Sequence, residues 1–416
     1  MSTSTTSDSR RDFALLWGGQ AVSSLGTRAA NPALTLLVLA LTGSPGYAGL
    51  VASVALLAFV AAQLPAGWLA DRTDRRRLLI GCDIGSAVAA LSVAGAVVAG
   101  AASVPHVLVA VVVLGAAAAV RITAELAALP HLVADRDLPR ALSANQARIY
   151  GSGLAGPPLG GLLYAVSRAL PFLVDAVSFL VAALCSALIR SRLGGAGAAT
   201  DQVSAGDAEP TGGGRGRTWS PLTEIWAGLR MFWRHRFVRT TALLVAASDF
   251  VINSLILVVV VAALGRGAGA ATVGLVLAAG GAGGLLGAVA ASTARRLTRD
   301  AGPLLVGAPL LTAGATLLLT APDLAVVGVG YAAVFVAWPA WNAVVTAHWL
   351  RGVDDAYRGR VQSAARLVAT VPTVAAPAVA GALLSTIGTT ATCVSLAVAL
   401  VVIAFASAAV VRRGAS

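Results

Sequence analysis

The stretch Gly67-Trp68-Leu69-Ala70-Asp71-Arg72-Thr73-Asp74-Arg75-Arg76-Arg77 separates two long apolar segments, and part of it recurs 220 residues later. A shift of 220 places Gly67, Ala70, Thr73, Arg75 and Arg76 on Gly287, Ala290, Thr293, Arg295 and Arg296. The same shift places Asp135, Arg140, Ser143, Ala144, Ala155, Pro157, Gly161 and Leu163 on Asp355, Arg360, Ser363, Ala364, Ala375, Pro377, Gly381 and Leu383. Because one ungapped shift aligns both regions, the sequence predicts two copies of a single folding unit.

Composition predicts that both copies lie in a membrane. Of the 416 residues, 57% are apolar and 12% are charged, and the mean hydropathy is +0.83. A soluble chain of this length would form two or three domains, and this chain has too few charges to cover their surfaces. Repeated halves in a membrane protein are typical of secondary transporters, which hold their binding site between the halves.

The apolar pattern predicts an all-α polytopic protein with twelve transmembrane helices in two pseudo-symmetric six-helix halves. We place the spans at 13–41, 46–69, 78–100, 105–129, 141–165, 169–189, 238–263, 270–293, 303–321, 324–347, 361–386 and 389–411. Glycine and alanine dominate these spans, which favours close helix packing through small residues.

Three segments follow from this assignment. The N-terminal half covers 1–192 and the C-terminal half covers 238–416. Between them, 193–237 is predicted to be a cytoplasmic linker that begins as a flexible Gly- and Ala-rich stretch. Its second part predicts an amphipathic surface helix, with one face formed by Leu222, Ile225, Trp226, Leu229, Phe232 and Trp233.

Arginines predict the topology, since all 30 basic residues are arginine. With the N-terminus inside, only Arg28, Arg121, Arg168 and Arg266 lie away from cytoplasmic segments and their adjoining helix turns. The positive-inside rule therefore predicts an inner (plasma) membrane protein with cytoplasmic N- and C-termini. The net charge of +12 is spread over separate short loops. This pattern favours anionic membrane lipid as the partner over nucleic acid.

The loop quoted first is a candidate gate, formed by Gly67, Asp71, Arg72, Arg75 and Arg76. Glycine allows close helix contact, the carboxylate can accept hydrogen bonds at a helix end, and the arginines can pair across the seam between the halves. The stretch resembles the signature loop of the major facilitator superfamily, G-x-x-x-D-R-x-G-R-R. Asp74 stands where that family usually has glycine, so we expect a reshaped turn.

Span 5 contains Ser152-Gly153-Leu154-Ala155-Gly156-Pro157-Pro158-Leu159-Gly160-Gly161. Its prolines remove backbone donors and its glycines admit a close neighbour, which predicts a kinked helix. The stretch resembles the G-x-x-x-G-P-x-x-G-G element of the superfamily's drug antiporters, with Ser152 in place of the first glycine. The resemblance implies an antiporter element at Gly156, Pro157, Gly160 and Gly161; a generic proline-kinked helix is the alternative.

Further stretches resemble the siderophore and macrolide exporters within this superfamily. They are Phe13 to Gln20, Leu41 to Pro45, Asp135 to Asn145, Phe172 to Phe179 and Arg358 to Val361. The resemblance covers nearly the whole chain and implies a small-molecule transporter. It leaves the substrate open, because a fold does not determine what a cavity binds.

Charged and amide groups within the spans predict the cavity for substrate and proton, because such groups are costly in a membrane. They concentrate in spans 1, 4, 7 and 10, which in the superfamily line the central cavity. The candidates are Arg28, Asn31, Arg121, Glu125, Asp249, Asn253, Trp338, Trp341 and Asn342. The 220-residue shift places Arg28 beside the equivalent of Asp249, so we expect an ion pair that a proton or charged substrate breaks.

Some of these residues have structural alternatives. Arg121 and Glu125 lie four residues apart and can form a fixed pair within one helix, and Trp338 can simply pack. Asp83 and Asp175 lie near span ends, where a structural role, by capping or by pairing with loop groups, is the preferred interpretation.

Proton coupling has no conventional carrier in span 1. Related exporters commonly have an acidic residue after the span 1 glycine, whereas Gly26 is followed by Thr27 here. We therefore expect Asp249 or Glu125 to carry the proton.

These patterns predict a secondary active transporter that exports amphipathic small molecules, such as a drug, antibiotic or siderophore, by proton antiport and alternating access. An uptake carrier or lipid flippase of the same fold and a non-transporting receptor or scaffold are the alternatives. The sequence contains no nucleophile–base pair, no metal-ligand spacing and no phosphate loop. We therefore expect neither an enzyme nor an ATP-driven pump, and no cofactor or metal.

Overall fold

Twelve α-helices make up the computed structural model, which describes residues 3–191, 193, 236–297, 302–351 and 358–414. They are α1 (Thr3–Thr42), α2 (Pro45–Arg72), α3 (Arg75–Val98), α4 (Val104–Leu132), α5 (Leu138–Val166), α6 (Leu170–Leu188), α7 (Arg236–Leu264), α8 (Ala270–Leu297), α9 (Gly302–Leu318), α10 (Leu324–Arg351), α11 (Arg358–Thr386) and α12 (Gly388–Gly414). A short 3₁₀ helix, Asp135–Asp137, precedes α5. Each helix contains or closely matches one predicted span, which confirms the all-α fold class.

Eight of these helices are long and apolar enough to cross a membrane. Three further apolar stretches are shorter: Leu305–Leu318, Leu324–Trp338 and Thr370–Thr386. The helices expose many leucine and valine side chains, as expected for surfaces that face lipid tails rather than water. The predicted amphipathic helix in the linker lies outside the described residues.

Proline and glycine determine where several helices begin and end. Proline occupies the first turn of α2, α4, α5 and α6, where its missing N–H costs no helical hydrogen bond. Gly43 and Gly100 follow α1 and α3 with φ angles of +63° and +66°. A side chain is strained in this left-handed region, so glycine suits these two turns.

Contacts between Cα atoms divide the chain into two compact units. The first unit comprises Met1–Ala205 and Ala263–Ala278, and the second comprises Gly206–Ala262 and Ala279–Ser416. The start of α8 belongs to the first unit because its Gly274 packs against Pro157 and Gly161 of α5. The predicted boundaries at 192 and 238 remain predictions.

Small residues bring the helices of the first unit together. α1 packs against α5 and α6, α3 packs against α4 and α6, and α2 packs against α4. A Cβ atom added to Gly19 of α1 would lie 2.8 Å from Cβ of Cys185 in α6, and one added to Gly115 of α4 would lie 3.2 Å from the backbone nitrogen of Phe59 in α2. The predicted packing through small residues is thus present in this unit.

The second unit uses glycine in the same way. α9 packs against α10 and α12, and α11 packs against α12. Gly283 and Gly287 of α8 face Ala332 and Val336 of α10, so closely that an added Cβ atom would lie 2.7 Å and 2.9 Å from their carbonyl carbons. α8 and α10 are therefore in backbone contact along this stripe.

Candidate functional site

An ion pair between α4 and α5 lies in the interior of the first unit. Nη2 of Arg148 lies 2.8 Å from Oε1 and 3.1 Å from Oε2 of Glu125. Both side chains are buried, so each charge compensates the other in a medium that would otherwise penalise it. The i,i+4 alternative for Arg121 and Glu125 is wrong, because Glu125 faces α5 and Arg121 faces other helices.

Arg121 is the centre of a second buried polar group. Its Nη1 donates to Oε1 of Gln20 and, at 3.3 Å, to Oγ of Ser23, both in α1. Its Nε lies 3.7 Å from Oδ1 of Asp83 in α3, and Nε2 of Gln20 donates to Oδ2 of Asp83 at 3.5 Å. Asp83 is fully buried and faces an arginine inside the helix bundle, so its partner is not the helix end or loop group that we expected for its structural role.

Asp175 joins α6 to α1 through hydroxyl groups. Its Oδ1 accepts a hydrogen bond from Oγ1 of Thr27 at 3.1 Å, and Oγ of Ser178 lies 3.5 Å from the same oxygen. Gly26 makes room for this contact, since an added Cβ atom would lie 3.1 Å from Oδ1 of Asp175. Sequence analysis did not place this carboxylate among the cavity candidates, and its partners are hydroxyl groups inside the bundle rather than the helix end or loop group expected for its structural role.

A small cavity of about 70 Å³ lies among α1, α3, α4 and α6. Its polar wall contains Thr27, Asn31, Ser86, Arg121 and Asp175. Space of this size holds a few water molecules, whereas pockets for drug-sized ligands span about 300–1,000 Å³. The cavity therefore suits water or a proton carrier rather than the transported molecule.

The two other α1 candidates, Arg28 and Asn31, have exposed side chains. Behind Arg28, the glycines of the predicted antiporter element support the backbone of α1. A Cβ atom on Gly156 would lie 2.9 Å from the carbonyl carbon of Arg28, and one on Gly160 would lie 2.7 Å from that of Ala29. The element on α5 thus holds the turn of α1 that carries a proposed cavity arginine.

The end of the same element contacts the start of α8. A Cβ atom on Gly161 would lie 3.0 Å from Cα of Gly274, and one on Gly274 would approach the carbonyl oxygen of Pro157 to 2.6 Å. Two successive helix contacts therefore depend on this one stretch of α5. A generic kinked helix has no need for glycine at both surfaces.

The candidate gate forms the turn between α2 and α3. Asp74 begins α3, where its Oδ1 accepts a hydrogen bond from the backbone N–H of Arg76 at 2.9 Å. Asp74 is thus the N-terminal cap of α3, which is the reshaped turn that we expected. Its φ of −57° is allowed for any residue, so glycine is not needed here. Asp71 is exposed, and the guanidinium of Arg72 lies 4.6 Å from the ring centre of Trp68.

Two gate arginines tie down the helix ends of the first unit. Nη1 of Arg75 donates to the carbonyl oxygens of Ala127 and Leu193 at 3.0 Å and 2.9 Å, and Arg76 donates to the carbonyl oxygen of Ala187. An added Cβ atom on Gly67 meets no described atom within 4 Å, whereas one on the equivalent Gly287 meets Val336. The close helix contact expected at Gly67 remains a prediction.

The remaining candidates belong to the second unit. Asp249 and Asn253 lie one turn apart in α7, and Nδ2 of Asn253 donates to the carbonyl oxygen of Asp249 at 2.8 Å. The rings of Trp338 and Trp341 in α10 stack with centroids 5.3 Å apart. The side chain of Asn342 lies outside the described residues. The proposed ion pair between Arg28 and Asp249 remains a prediction.

Comparisons with known proteins identify the family and the fold of the chain. A family model described as the Major Facilitator Superfamily matches residues 16–353. No match was found among the curated proteins.

Three solved structures illustrate the similarity of fold. A bacterial homologue of the human lysosomal transporter Spinster, inward-facing and unoccupied, has a TM-score of 0.70 and 15% identity, with 97% of each chain covered. A bacterial homologue of the iron transporter ferroportin has a TM-score of 0.69 and 15% identity, covering 96% of this chain and 98% of that one. A POT family transporter in complex with 5-aminolevulinic acid has a TM-score of 0.70 and 12% identity, covering 97% and 96%.

At these identities the solved structures show the shared fold alone, and the family model covers most of the chain. The chain therefore belongs to the Major Facilitator Superfamily, and it is a multi-pass membrane transporter rather than an enzyme.

Proposed function

We propose that this transporter exports amphipathic small molecules, such as a drug, antibiotic or siderophore, and couples their export to proton entry. The observation that carries the proposal is the position of the antiporter-like element in α5. Gly156 and Gly160 contact the turn of α1 that presents Arg28, and Gly161 contacts α8. A movement of α5 therefore changes the position of an exposed charge on α1.

The side chains proposed to line the substrate cavity suit an amphipathic molecule. Arg28 and Asp249 supply opposite charges, and Asn31 and Asn253 supply amide groups. The partly exposed ring of Trp338, which stacks on the buried ring of Trp341, offers a flat apolar surface, which is typical of sites that orient a largely apolar ligand with a few polar contacts. Asn342 completes the proposed set on α10.

The gate and the topology follow from the same proposal. Asp71 is exposed at the end of α2, where a carboxylate is available to contact another helix end in one orientation of the halves. The arginine distribution supports a plasma (inner) membrane location with both termini in the cytoplasm. Membrane lipid is then the remaining partner, and neither ATP nor nucleic acid takes part.

An accumulation assay tests the direction of transport. Cells that lack their own drug-efflux systems and express the protein should accumulate less of at least one amphipathic compound from a broad panel. A protonophore should abolish the difference, and Gly160→Leu, which places a bulky side chain against Ala29, should remove it at equal membrane abundance. Gly153→Leu provides the matched control, because Gly153 has no described atom within 4 Å of an added Cβ atom.

Two outcomes would contradict the proposal. Unchanged accumulation across the panel, with the protein present in the membrane, would exclude efflux of these compounds. Higher accumulation of a compound than in cells without the protein would identify an uptake carrier instead.

A further inference from the structure

One cluster of buried charges in the first unit is one positive charge short. Its described members are three carboxylates, Asp83, Glu125 and Asp175, and two guanidinium groups, Arg121 and Arg148; each of the five is at most 9% exposed. Asp12 is also buried, but its carboxylate accepts hydrogen bonds from Arg190 and Ser191 after α6 and is not counted in this cluster. With every group ionised, this described cluster would hold one uncompensated negative charge. Such a charge is costly away from water, and one bound proton removes the cost.

The contacts show which carboxylate lacks a cation. Glu125 takes both of its short contacts from Arg148. Asp83 has Nε of Arg121 at 3.7 Å and the amide of Gln20 at 3.5 Å. Within the described part of the chain, the carboxylate of Asp175 has only hydroxyl partners, Thr27 at 3.1 Å and Ser178 at 3.5 Å.

The position of Asp175 also suits exchange of a proton. It lines the cavity of about 70 Å³ together with Arg121, so water can reach the carboxylate within the bundle. Many charged or titratable groups lie on the packed helices: Arg10, Arg11, Asp12 and Arg28 on α1, Arg75, Arg76, Arg77, Cys82 and Asp83 on α3, His106, Arg121, Glu125 and His131 on α4, Arg140, Arg148, Tyr150 and Tyr164 on α5, and Cys185 on α6. Of these, Arg121 lines the same cavity as Asp175. The α1 side chains that contact Asp83, Arg121 or Asp175 are neutral: Gln20, Ser23 and Thr27.

We propose that Asp175 is a site for one exchangeable proton inside the first six-helix unit, and that the turn of α1 at Gly26–Ala29 responds to its occupancy. This inference rests on the proposed proton coupling and moves the coupling site from Asp249 or Glu125 to a carboxylate on α6. Binding of the proton turns one carboxylate oxygen into a hydroxyl donor, and release restores an acceptor for Thr27.

The response follows from how tightly this turn is held. On one side, Gly26 lies against α6, where an added Cβ atom would be 2.8 Å from Cβ of Ser178. On the other side, Arg28 and Ala29 lie against Gly156 and Gly160 of α5. A change in the hydrogen bond of Thr27 therefore acts on a segment clamped between two helices, whose Arg28 side chain is exposed.

Infrared titration of the purified full-length protein tests the proton site without any substrate. The wild-type spectrum should contain a protonated-carboxyl C=O band that disappears as the pH is raised, and Asp175→Asn should lack this band. Asp249→Asn is the matched control, an intramembrane aspartate in the second unit, and should retain it. Thr27→Val keeps the size and removes the donor, so it should move the same band to higher frequency.

Each outcome bears on the assignment. Retention of every wild-type carboxyl band in Asp175→Asn, or loss of the band in Asp83→Asn but not in Asp175→Asn, would overturn it. If Asp175→Asn does not fold, an unchanged spectrum in Thr27→Val would overturn it equally. The infrared titration does not measure transport, so it tests the proton site even if the export assay gives a negative result.

Hydrogen–deuterium exchange tests the response of α1. At a pH where the wild-type band has disappeared, backbone amides in residues 26–31 should exchange several-fold faster in Asp175→Asn than in the wild type, since the neutral amide holds Thr27 less strongly than a carboxylate. Amides of α2 should be unaffected. Equal exchange of residues 26–31 in the two proteins would contradict the proposed response.

Discussion

Replacing Gly160 with alanine tests the backbone contact between α5 and α1. The added Cβ atom would lie 2.7 Å from the carbonyl carbon and 2.9 Å from Cα of Ala29, whereas ordinary van der Waals contact begins at 3.4 Å. The carbonyl oxygen of Ala29 lies closer still, and because the obstacle is backbone the two helices must move apart. Overpacking of this kind costs about 1–3 kcal/mol. The same change at Gly153 meets no described atom within 4 Å and should gain up to about 1 kcal/mol of helix propensity.

The assay is thermal unfolding of the purified variants in one detergent, followed by the accumulation assay. A folding unit of this size shifts its Tm by about 2–4 °C per kcal/mol, so Gly160→Ala should melt several degrees below Gly153→Ala and transport less. Equal melting temperatures and equal transport for the two variants would refute the role of the α5 glycine in helix contact.

Three further variants test individual side chains. Glu125→Gln should lower the free energy of unfolding by about 3–5 kcal/mol, because it leaves the buried charge of Arg148 unpaired. Addition of Arg148→Gln should restore much of this loss, and equal stability of the wild type and the single variant would contradict the pair. Arg75→Gln should lower the free energy of unfolding by about 1.5–3 kcal/mol, because it removes hydrogen bonds to two carbonyl oxygens. Arg77→Gln, at an exposed position, should unfold like the wild type. Equal losses in the two variants would contradict a stabilising role for the hydrogen bonds of Arg75. Asp249→Asn should leave the pH profile of transport unaltered, because the proton site is assigned to Asp175, and a flattened profile would return the coupling to Asp249.

The helices were predictable because each span is a long apolar run bounded by short polar or Gly- and Pro-containing segments. The structure has these residues at the helix boundaries, with Pro45 at the start of α2 and Gly100 after α3.

The sequence predicted that glycines would allow close helix contacts, but it did not predict which glycines would do so. Gly67 and Gly287 are equivalent in sequence, and a close described contact exists at Gly287. Whether a glycine makes a close contact depends on which helix lies beside it, and the local sequence does not specify that helix.

The partners of the buried charges were likewise not predictable from the local sequence. An i,i+4 spacing places Arg121 and Glu125 on one helix face, but it does not say which helices that face meets. Arg148 lies among the arginines that the positive-inside rule already explains, so its pairing with Glu125 had no signal of its own. Asp83 lies eight residues inside α3, about 12 Å along its axis, which is well past the cap that its span position suggested.

The carboxylate missing from the first span has a counterpart on another helix. Related exporters commonly have an acidic residue at the position of Thr27 in α1. In the structure, Oδ1 of Asp175 lies 3.1 Å from the hydroxyl oxygen of Thr27. The two residues are 148 positions apart, so local reasoning cannot join them. A buried aspartate in an apolar stretch such as Phe172 to Phe179 was the available signal, because such groups are costly unless they serve a purpose.

Proton movement in sealed liposomes tests coupled export most directly. The purified protein is reconstituted with a pH-sensitive dye inside, and a compound identified by the accumulation assay is applied across the membrane without an imposed pH gradient. The account predicts that movement of the compound drives protons in the opposite direction, and that Gly153→Leu retains this exchange while Gly160→Leu loses it. Transport of the compound with no pH change in the lumen, or with protons moving in the same direction, would contradict proton antiport.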